Sequence, residues 1–103
     1  MRFDYQQIIN LKISKKRKNS LKILELEFYN LKHEINVIEQ FYTKRFHHVS
    51  LYKIVGKKQI FINLYRSQDE ITKYSLSSFF LANKIKIKDE LLDLIIRNTN
   101  LNK

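Results

Sequence analysis

Apolar residues between positions 20 and 42 recur at alternating spacings of three and four. This spacing places the side chains along one side of an α-helix. Ser20 stands where a helix N-cap is favoured, and Lys44 and Arg45 stand near the expected negative end of the helix dipole. We therefore predict a long amphipathic helix that starts at Ser20. The apolar stripe consists of Leu21, Leu24, Phe28, Leu31, Ile35, Ile38 and Tyr42.

The same stripe keeps a seven-residue repeat, which is also the pattern of a coiled-coil seam. Packing of the predicted helix against a second chain is therefore an alternative to packing within this chain.

The composition of the chain changes after residue 46, where β-branched and aromatic residues become frequent. Gly56, the only glycine, separates segments 47–55 and 59–66, which predicts a β-hairpin. We expect one face of the second strand to pack on the long helix and the other face to be exposed. The packed face would carry Ile60, Ile62 and Leu64, and the exposed face Phe61 and Tyr65.

The last third of the chain predicts three short elements. Ser67 and Glu70 match a capping box at the start of a second helix, which ends near Asn83. Residues 84–88 alternate lysine and isoleucine, a pattern typical of an edge strand protected by charge. Asp89 then begins a final helix that reaches about Asn98, with Leu91, Leu92, Ile95 and Ile96 facing inward.

Together these elements predict an α+β fold in a single small domain. A long amphipathic helix packs on a β-hairpin and is followed by a helix, a short edge strand and a C-terminal helix. Residues 20–103 form this domain, and residues 1–19 form a basic, partly flexible lead. Within the lead, residues 3–13 fit a strand or a helical turn equally, and residues 12–18 are predicted to be an exposed loop.

The charge of the chain indicates the kind of partner that it binds. The chain holds 20 Lys and Arg against 10 Asp and Glu, a formal net charge of +10. Residues 1–66 hold 14 basic and 5 acidic side chains, and residues 67–103 hold 6 and 5. Such an excess favours polyanions, above all nucleic acid, and its asymmetry places the contact surface in the first two thirds of the chain.

Two basic segments are candidate nucleic-acid contacts. Residues 12–18 could follow a phosphate backbone and release its counterions. In the predicted hairpin, cations alternate with Tyr52, Phe61 and Tyr65, a combination that supports base stacking beside phosphate contacts, although these aromatics could equally belong to the core or to a protein interface. The candidate residues are Lys12, Lys15, Lys16, Arg17, Lys18, Lys53, Lys57, Lys58 and Arg66.

Residues suited to catalysis or metal binding do not form a recognisable set. The chain has no cysteine, and His33, His47 and His48 are its only histidines. A single glycine cannot build a phosphate-binding loop, and the serines lack the motif of an activated nucleophile. We therefore expect no enzyme activity, no metal site, no cofactor and no small-molecule substrate. No apolar run is long enough for a transmembrane segment.

The composition also carries a signature of the gene. Phe, Tyr, Met, Ile, Asn and Lys account for 52 residues, whereas Gly, Ala, Arg and Pro account for 7. This bias indicates an A+T-rich genome, such as that of an organelle, and basic proteins still encoded in organelles are largely ribosomal. If the protein is encoded by an organelle, we expect it in the mitochondrion or another organelle. If it is not, we expect it in the cytoplasm.

The sequence therefore favours a non-enzymatic nucleic-acid-binding protein, a structural RNA-binding component of a ribonucleoprotein such as an organellar ribosome. Its partners would be ribosomal RNA and neighbouring proteins of the assembly. The alternative is an accessory subunit or interaction module of a large protein complex, including a complex that is peripheral to a membrane. In that hypothesis the basic charge meets acidic protein surfaces or lipid headgroups.

Overall fold

The computed structural model describes residues 6–30 and 32–99 and shows a protein built mostly of β-strands. One six-stranded sheet curls into a half-barrel, in the order β5-β4-β3-β2-β1-β6, with two short helices packed on it. The elements are β1 (Gln6–Lys18), β2 (Leu21–Asn30), β3 (Ile35–Tyr42), β4 (His47–Val55), β5 (Lys58–Ser67), α1 (Lys73–Ala82), β6 (Ile85–Lys86) and α2 (Asp89–Asn98).

The first five strands form an antiparallel meander in which each strand pairs with the next. β6 pairs with the start of β1 in parallel. The fold class predicted from the sequence is therefore wrong: no long helix packs on a hairpin, and most of the predicted helix and its lead belong to this sheet.

The predicted helix over residues 20–42 is β2, a turn and β3. In β2, Leu24, Leu26 and Phe28 are buried, while Glu25 and Glu27 between them are half-exposed. That alternation has the period of two that belongs to a strand with one buried face. The coiled-coil hypothesis fails with the helix, because its stripe mixes residues from both faces of the sheet.

The turn between β2 and β3 is made without glycine or proline. The side-chain oxygen of Asn30 accepts hydrogen bonds from the backbone N–H groups of Lys32 (2.9 Å) and Glu34 (3.0 Å). His33 takes a positive φ of 58°. An asparagine that caps its own turn in this way reverses the chain where the helical pattern predicts continuity.

The basic segment 12–18, predicted as an exposed loop, lies in β1 and is paired with β2 along its length. Asn19 and Ser20 join the two strands with positive φ values of 50° and 67°. A two-residue turn with both φ values positive matches the right-handed twist of a hairpin. Ser20 is therefore a turn residue and not a helix N-cap.

The predicted hairpin at Gly56 is confirmed as β4 and β5, and Gly56 takes a φ of +64°. Its predicted packing is wrong, because Ile60, Ile62 and Leu64 are about half exposed. Tyr65, predicted to be exposed, is half-buried and its ring lies 6.3 Å from that of Phe79 in α1.

The C-terminal elements follow the prediction more closely. The predicted capping box at Ser67 and Glu70 is wrong, because Ser67 is the last residue of β5. α1 starts at Lys73 behind a capping box formed by Thr72 and Ser75, and its C-cap is Asn83 as predicted. The edge strand is confirmed as β6, shortened to two residues, and the final helix is confirmed as α2. Leu92 and Ile95 are buried in the core and Leu91 and Ile96 pack against it, as predicted.

One face of the sheet carries the core, and we call it the helix face because α1 and α2 pack on it. Leu24, Leu26 and Phe28 of β2 lie there with Ile38 of β3, and Phe28 meets Phe80 of α1 edge to face at 6.3 Å. The opposite face, which we call the open face, has neither of these helices on it.

Candidate nucleic-acid interface

Cations are concentrated where the β1–β2 hairpin ends. Arg17 lies directly opposite Lys22, and Lys15 lies opposite Leu24. Residues opposite each other share a face, so Lys15, Arg17 and Lys22 all project from the helix face, beyond the part that the helices cover, and all three are exposed. Opposite residues in an antiparallel pair have β-carbons about 5 Å apart, and like charges placed there destabilise the pair.

Two rings lie beside these cations in the next strands. Ile23 pairs with Phe41, which places Lys22 beside Tyr42, and Tyr42 is itself opposite His47. The Tyr42 and His47 rings have centroids 4.4 Å apart, and both residues are half-buried. Cations and aromatic rings thus follow one another across four strands, from β1 to β4.

The β3–β4 turn adds two exposed cations at the same end of the sheet. Thr43 N–H donates to the Phe46 carbonyl at 2.9 Å, which closes the turn and leaves Lys44 and Arg45 exposed. We call this end of the sheet the basic rim. It consists of Lys15, Arg17, Lys18, Lys22, Lys44 and Arg45.

Lys16 and Arg66, two of the predicted contacts, lie on the open face at this end and have partners within the chain. Lys16 Nζ forms an ion pair with Glu25 Oε1 at 2.9 Å, and this hydrogen bond raises the pKa of the Lys16 amine. The guanidinium of Arg66 lies 4.6 Å from the ring centroid of Phe46.

His48 completes the aromatic cluster beside Arg66. Its ring stacks on Phe41 at 4.5 Å and meets Phe46 edge to face at 6.4 Å. Burial among these rings lowers the pKa of His48, and the positive charges of Arg66 and His47 lower it further. The neutral imidazole is therefore favoured, and the cluster supports the β3–β4 turn.

The middle of the open face combines glutamates with lysines and does not form a cationic surface. Glu25 lies opposite Glu39, and Glu27 lies opposite Lys12. Glu39 accepts a hydrogen bond from Gln59 at 3.2 Å. Lys16 and Lys12 offset two of these three carboxylates, so this part of the open face carries little net charge and presents no cluster of cations to a phosphate backbone.

The aromatic platform predicted for the hairpin is not formed. Phe61 packs against Tyr52 on the open face, with centroids 5.8 Å apart, whereas Tyr65 faces the helices. The rings lie on opposite sides of the sheet and cannot stack successive bases on one surface.

The remaining predicted contacts lie at the other end of the sheet. Lys57 is in the β4–β5 turn and Lys58 is the first residue of β5, and Lys53 forms an ion pair with Glu34, which lowers the pKa of that carboxyl. A strand of nine residues separates this turn from the basic rim, a distance of roughly 30 Å at ~3.3 Å per residue. The nine predicted residues therefore do not form one surface.

Lys22, Lys44 and Arg45 were missed by the sequence-based assignment, which placed them in or beside a helix. The alternation of Leu24, Leu26 and Phe28 with glutamates is the signal that could have paired Lys22 with Arg17.

The described residues form neither a metal site nor a membrane-spanning helix. No group of three or more His, Asp and Glu side chains in residues 6–30 and 32–99 could hold a metal ion. Within the same ranges, no helix is long and apolar enough to span a membrane. Comparison with protein families, curated proteins and solved structures found no match.

Proposed function

We propose that the protein binds RNA through the basic rim, without catalysing a reaction, as a structural component of a ribonucleoprotein such as an organellar ribosome. The observation that carries this proposal is the placement of Arg17 directly opposite Lys22, with Lys15 on the same face. Cations that share one face at one end of the sheet can contact neighbouring phosphates of a single backbone.

The neighbouring rings support RNA as the polyanion. Single-stranded RNA exposes bases that stack on aromatic side chains beside phosphate-binding cations. Tyr42 and His47 offer such rings next to Lys22, and the A+T-rich coding bias favours an organellar origin. Ribosomal RNA is the proposed partner.

The test compares two triple variants that remove the same charge. The rim variant carries Lys15→Gln, Arg17→Gln and Lys18→Gln. The matched control carries Lys32→Gln, Lys57→Gln and Lys58→Gln, which are exposed residues in or next to the turns at the opposite end of the sheet. Binding of a fluorescein-labelled single-stranded RNA is followed by anisotropy over a series of salt concentrations.

The rim variant is expected to lose three phosphate contacts. Since each contact contributes about 0.7 to the slope of log K against log salt, the slope should become shallower by about 2 and affinity at ~0.1 M salt should fall about 100-fold. The control should keep the wild-type slope and lose less than about threefold in affinity. Equal losses in both variants, or no RNA binding by the wild type, would refute the rim as an RNA site.

A second candidate function is that of an interaction module in a protein complex. Tyr74 and Leu81 lie seven residues apart on α1. Their side chains are 83% and 59% exposed, so both are accessible to a protein partner. An accessory subunit would co-purify with protein partners in a salt-resistant manner, whereas RNA association weakens as salt rises.

A further inference from the structure

The two long edges of the sheet differ in chemistry. β5 lies at the end of the strand order and pairs only with β4 among the described strands. On it, Ile60, Phe61, Ile62 and Leu64 are 45–52% exposed. The other edge, β1, carries Lys12, Lys15, Lys16, Arg17 and Lys18 beyond its short contact with β6. Lysines on an edge discourage pairing with another strand, and the centre of β5 carries none. Its own cover is limited to a bulge and to the side chain of Asn63, which accepts a hydrogen bond from Leu64 N–H at 2.8 Å and donates one to Asn83 Oδ1 at 3.0 Å.

A bulge in β5 sets which way its apolar residues point. Asn63 pairs with Leu51 and Phe61 pairs with the next residue, Tyr52, so Ile62 is the extra residue. Leu64 and Phe61 consequently share the open face, while Tyr65 and Ile60 share the helix face. Each face of this edge thus presents apolar side chains on both sides of Asn63.

Opposite charges flank the strand. Lys57 and Lys58 stand at its beginning, and Asp69 and Glu70 follow its end. None of these four side chains forms an ion pair within residues 6–30 and 32–99. A strand that is cationic at one end and anionic at the other is complementary in charge to an antiparallel copy of itself.

We propose that β5 pairs antiparallel with β5 of a second copy of this chain, about a twofold axis near Asn63. With the bulge kept in both copies, Leu64 of one copy lies opposite Phe61 of the other on the open face, and Tyr65 lies opposite Ile60 on the helix face. The register places Lys58 of each copy opposite Ser67 of the other and Lys57 opposite Gln68, which is next to Asp69. The sheet then continues across the dimer.

The size of the patch sets the strength of the dimer. Four half-exposed apolar side chains form a patch of roughly 300–400 Å² per copy, which is the scale of an interaction site on a monomer. A standard stable interface buries about 800 Å² per partner, so this dimer is weak and forms in the micromolar range or above. The basic rims lie away from the axis, and the proposal does not depend on RNA binding.

The first test is sedimentation velocity of the full chain, purified free of nucleic acid, from about 1 µM to about 1 mM. The wild type should shift from monomer to dimer over this range. Leu64→Lys should raise the dimer dissociation constant by about tenfold or more, because it places charge in the centre of the apolar contact. The matched control Leu94→Lys, at an exposed position of α2, whose first turn lies beside β1, should leave it unchanged.

Charge reversal tests the orientation of the strands. A variant with Lys57→Glu and Lys58→Glu and a variant with Asp69→Lys and Glu70→Lys should each dimerise more weakly than the wild type. Mixed together, the two should form a heterodimer about as tight as the wild-type dimer, because each strand end again meets the opposite charge, whereas each variant alone brings like charges together.

The register is tested by crosslinking, which the absence of native cysteine makes unambiguous. Asn63→Cys should form a disulfide-linked dimer on mild oxidation, since opposite residues at the axis lie within disulfide reach. Lys12→Cys on the β1 edge is the control and should remain monomeric. A wild type that stays monomeric up to about 1 mM overturns the proposal. So does a dimer that is indifferent to Leu64→Lys, or crosslinking equal in the two cysteine variants.

Discussion

Replacement of Gln40 by leucine should stabilise the protein. Gln40 projects from β3 onto the helix face, between Leu24 of β2 and Val49 of β4, and is 1% exposed. Neither its side-chain nitrogen nor its side-chain oxygen has a hydrogen-bond partner among the described residues. Burial of an unpaired polar group costs about 1–3 kcal/mol, and a leucine side chain fills a volume similar to that of glutamine. Gln40→Leu should therefore raise the free energy of unfolding by about 1–3 kcal/mol.

Urea denaturation followed by circular dichroism measures this change. With an m-value of roughly 1.5 kcal/mol/M for a chain of this size, the midpoint should rise by about 1–2 M urea. The control Gln68→Leu, at an exposed position after β5, should change stability by no more than about 0.5 kcal/mol. A Gln40→Leu variant that is no more stable than the wild type would refute the burial of an unpaired amide between these strands.

Three other substitutions test separate parts of the structure. Phe28→Ala removes a buried ring that contacts Phe80 and should lower the free energy of unfolding by about 3–5 kcal/mol in the same urea experiment. Ser20→Gly should raise it by about 1 kcal/mol, because Ser20 holds a φ of +67°; a helix N-cap at this position would instead predict a small loss. Folding lowers the pKa of His48, so the unfolded chain binds a proton at this residue more readily than the folded protein does. The free energy of unfolding should therefore be highest above pH ~6.5 and should decline as the pH falls below that value. Thermal unfolding between pH 8 and 5 should show this decline in the wild type, and His48→Gln should reduce it.

The parts of the fold that the sequence predicted correctly carry strong local signals. Gly56 marks the β4–β5 turn because a residue with φ of +64° is easiest for glycine, and the flanking residues are β-branched and aromatic. α2 starts at two acidic residues and has its apolar residues at helical spacing. In both cases local preference and tertiary packing agree.

The segment 20–42 was predicted wrongly because two periods coexist in it. A stripe at spacings of three and four can be drawn through residues of β2 and β3, but it joins buried Leu24 to half-buried Leu21 and Ile35 on the opposite face. The turns that divide the strands rest on Asn19, Ser20, Asn30 and His33, which do not stand out as chain breakers. Once the segment was treated as a helix, Lys22 could not be placed beside Arg17.

Half of the basic rim could be predicted from the sequence, and the other half was missed because β2 and β3 were taken for a helix. Charge density found Lys15, Arg17 and Lys18, because an excess of cations is visible without any structure. Strand register was needed to add Lys22, and to separate the basic rim from Lys57 and Lys58 at the other end of the sheet.

Photocrosslinking to RNA tests the central claim most directly. The full chain is bound to single-stranded RNA that contains 4-thiouridine, irradiated, digested, and the crosslinked residues are located by mass spectrometry. Crosslinks within residues 15–22 and at Tyr42 or His47 are the predicted result. Crosslinks confined to residues 53–61, or none above the level of the Lys15→Gln, Arg17→Gln, Lys18→Gln variant, would contradict it.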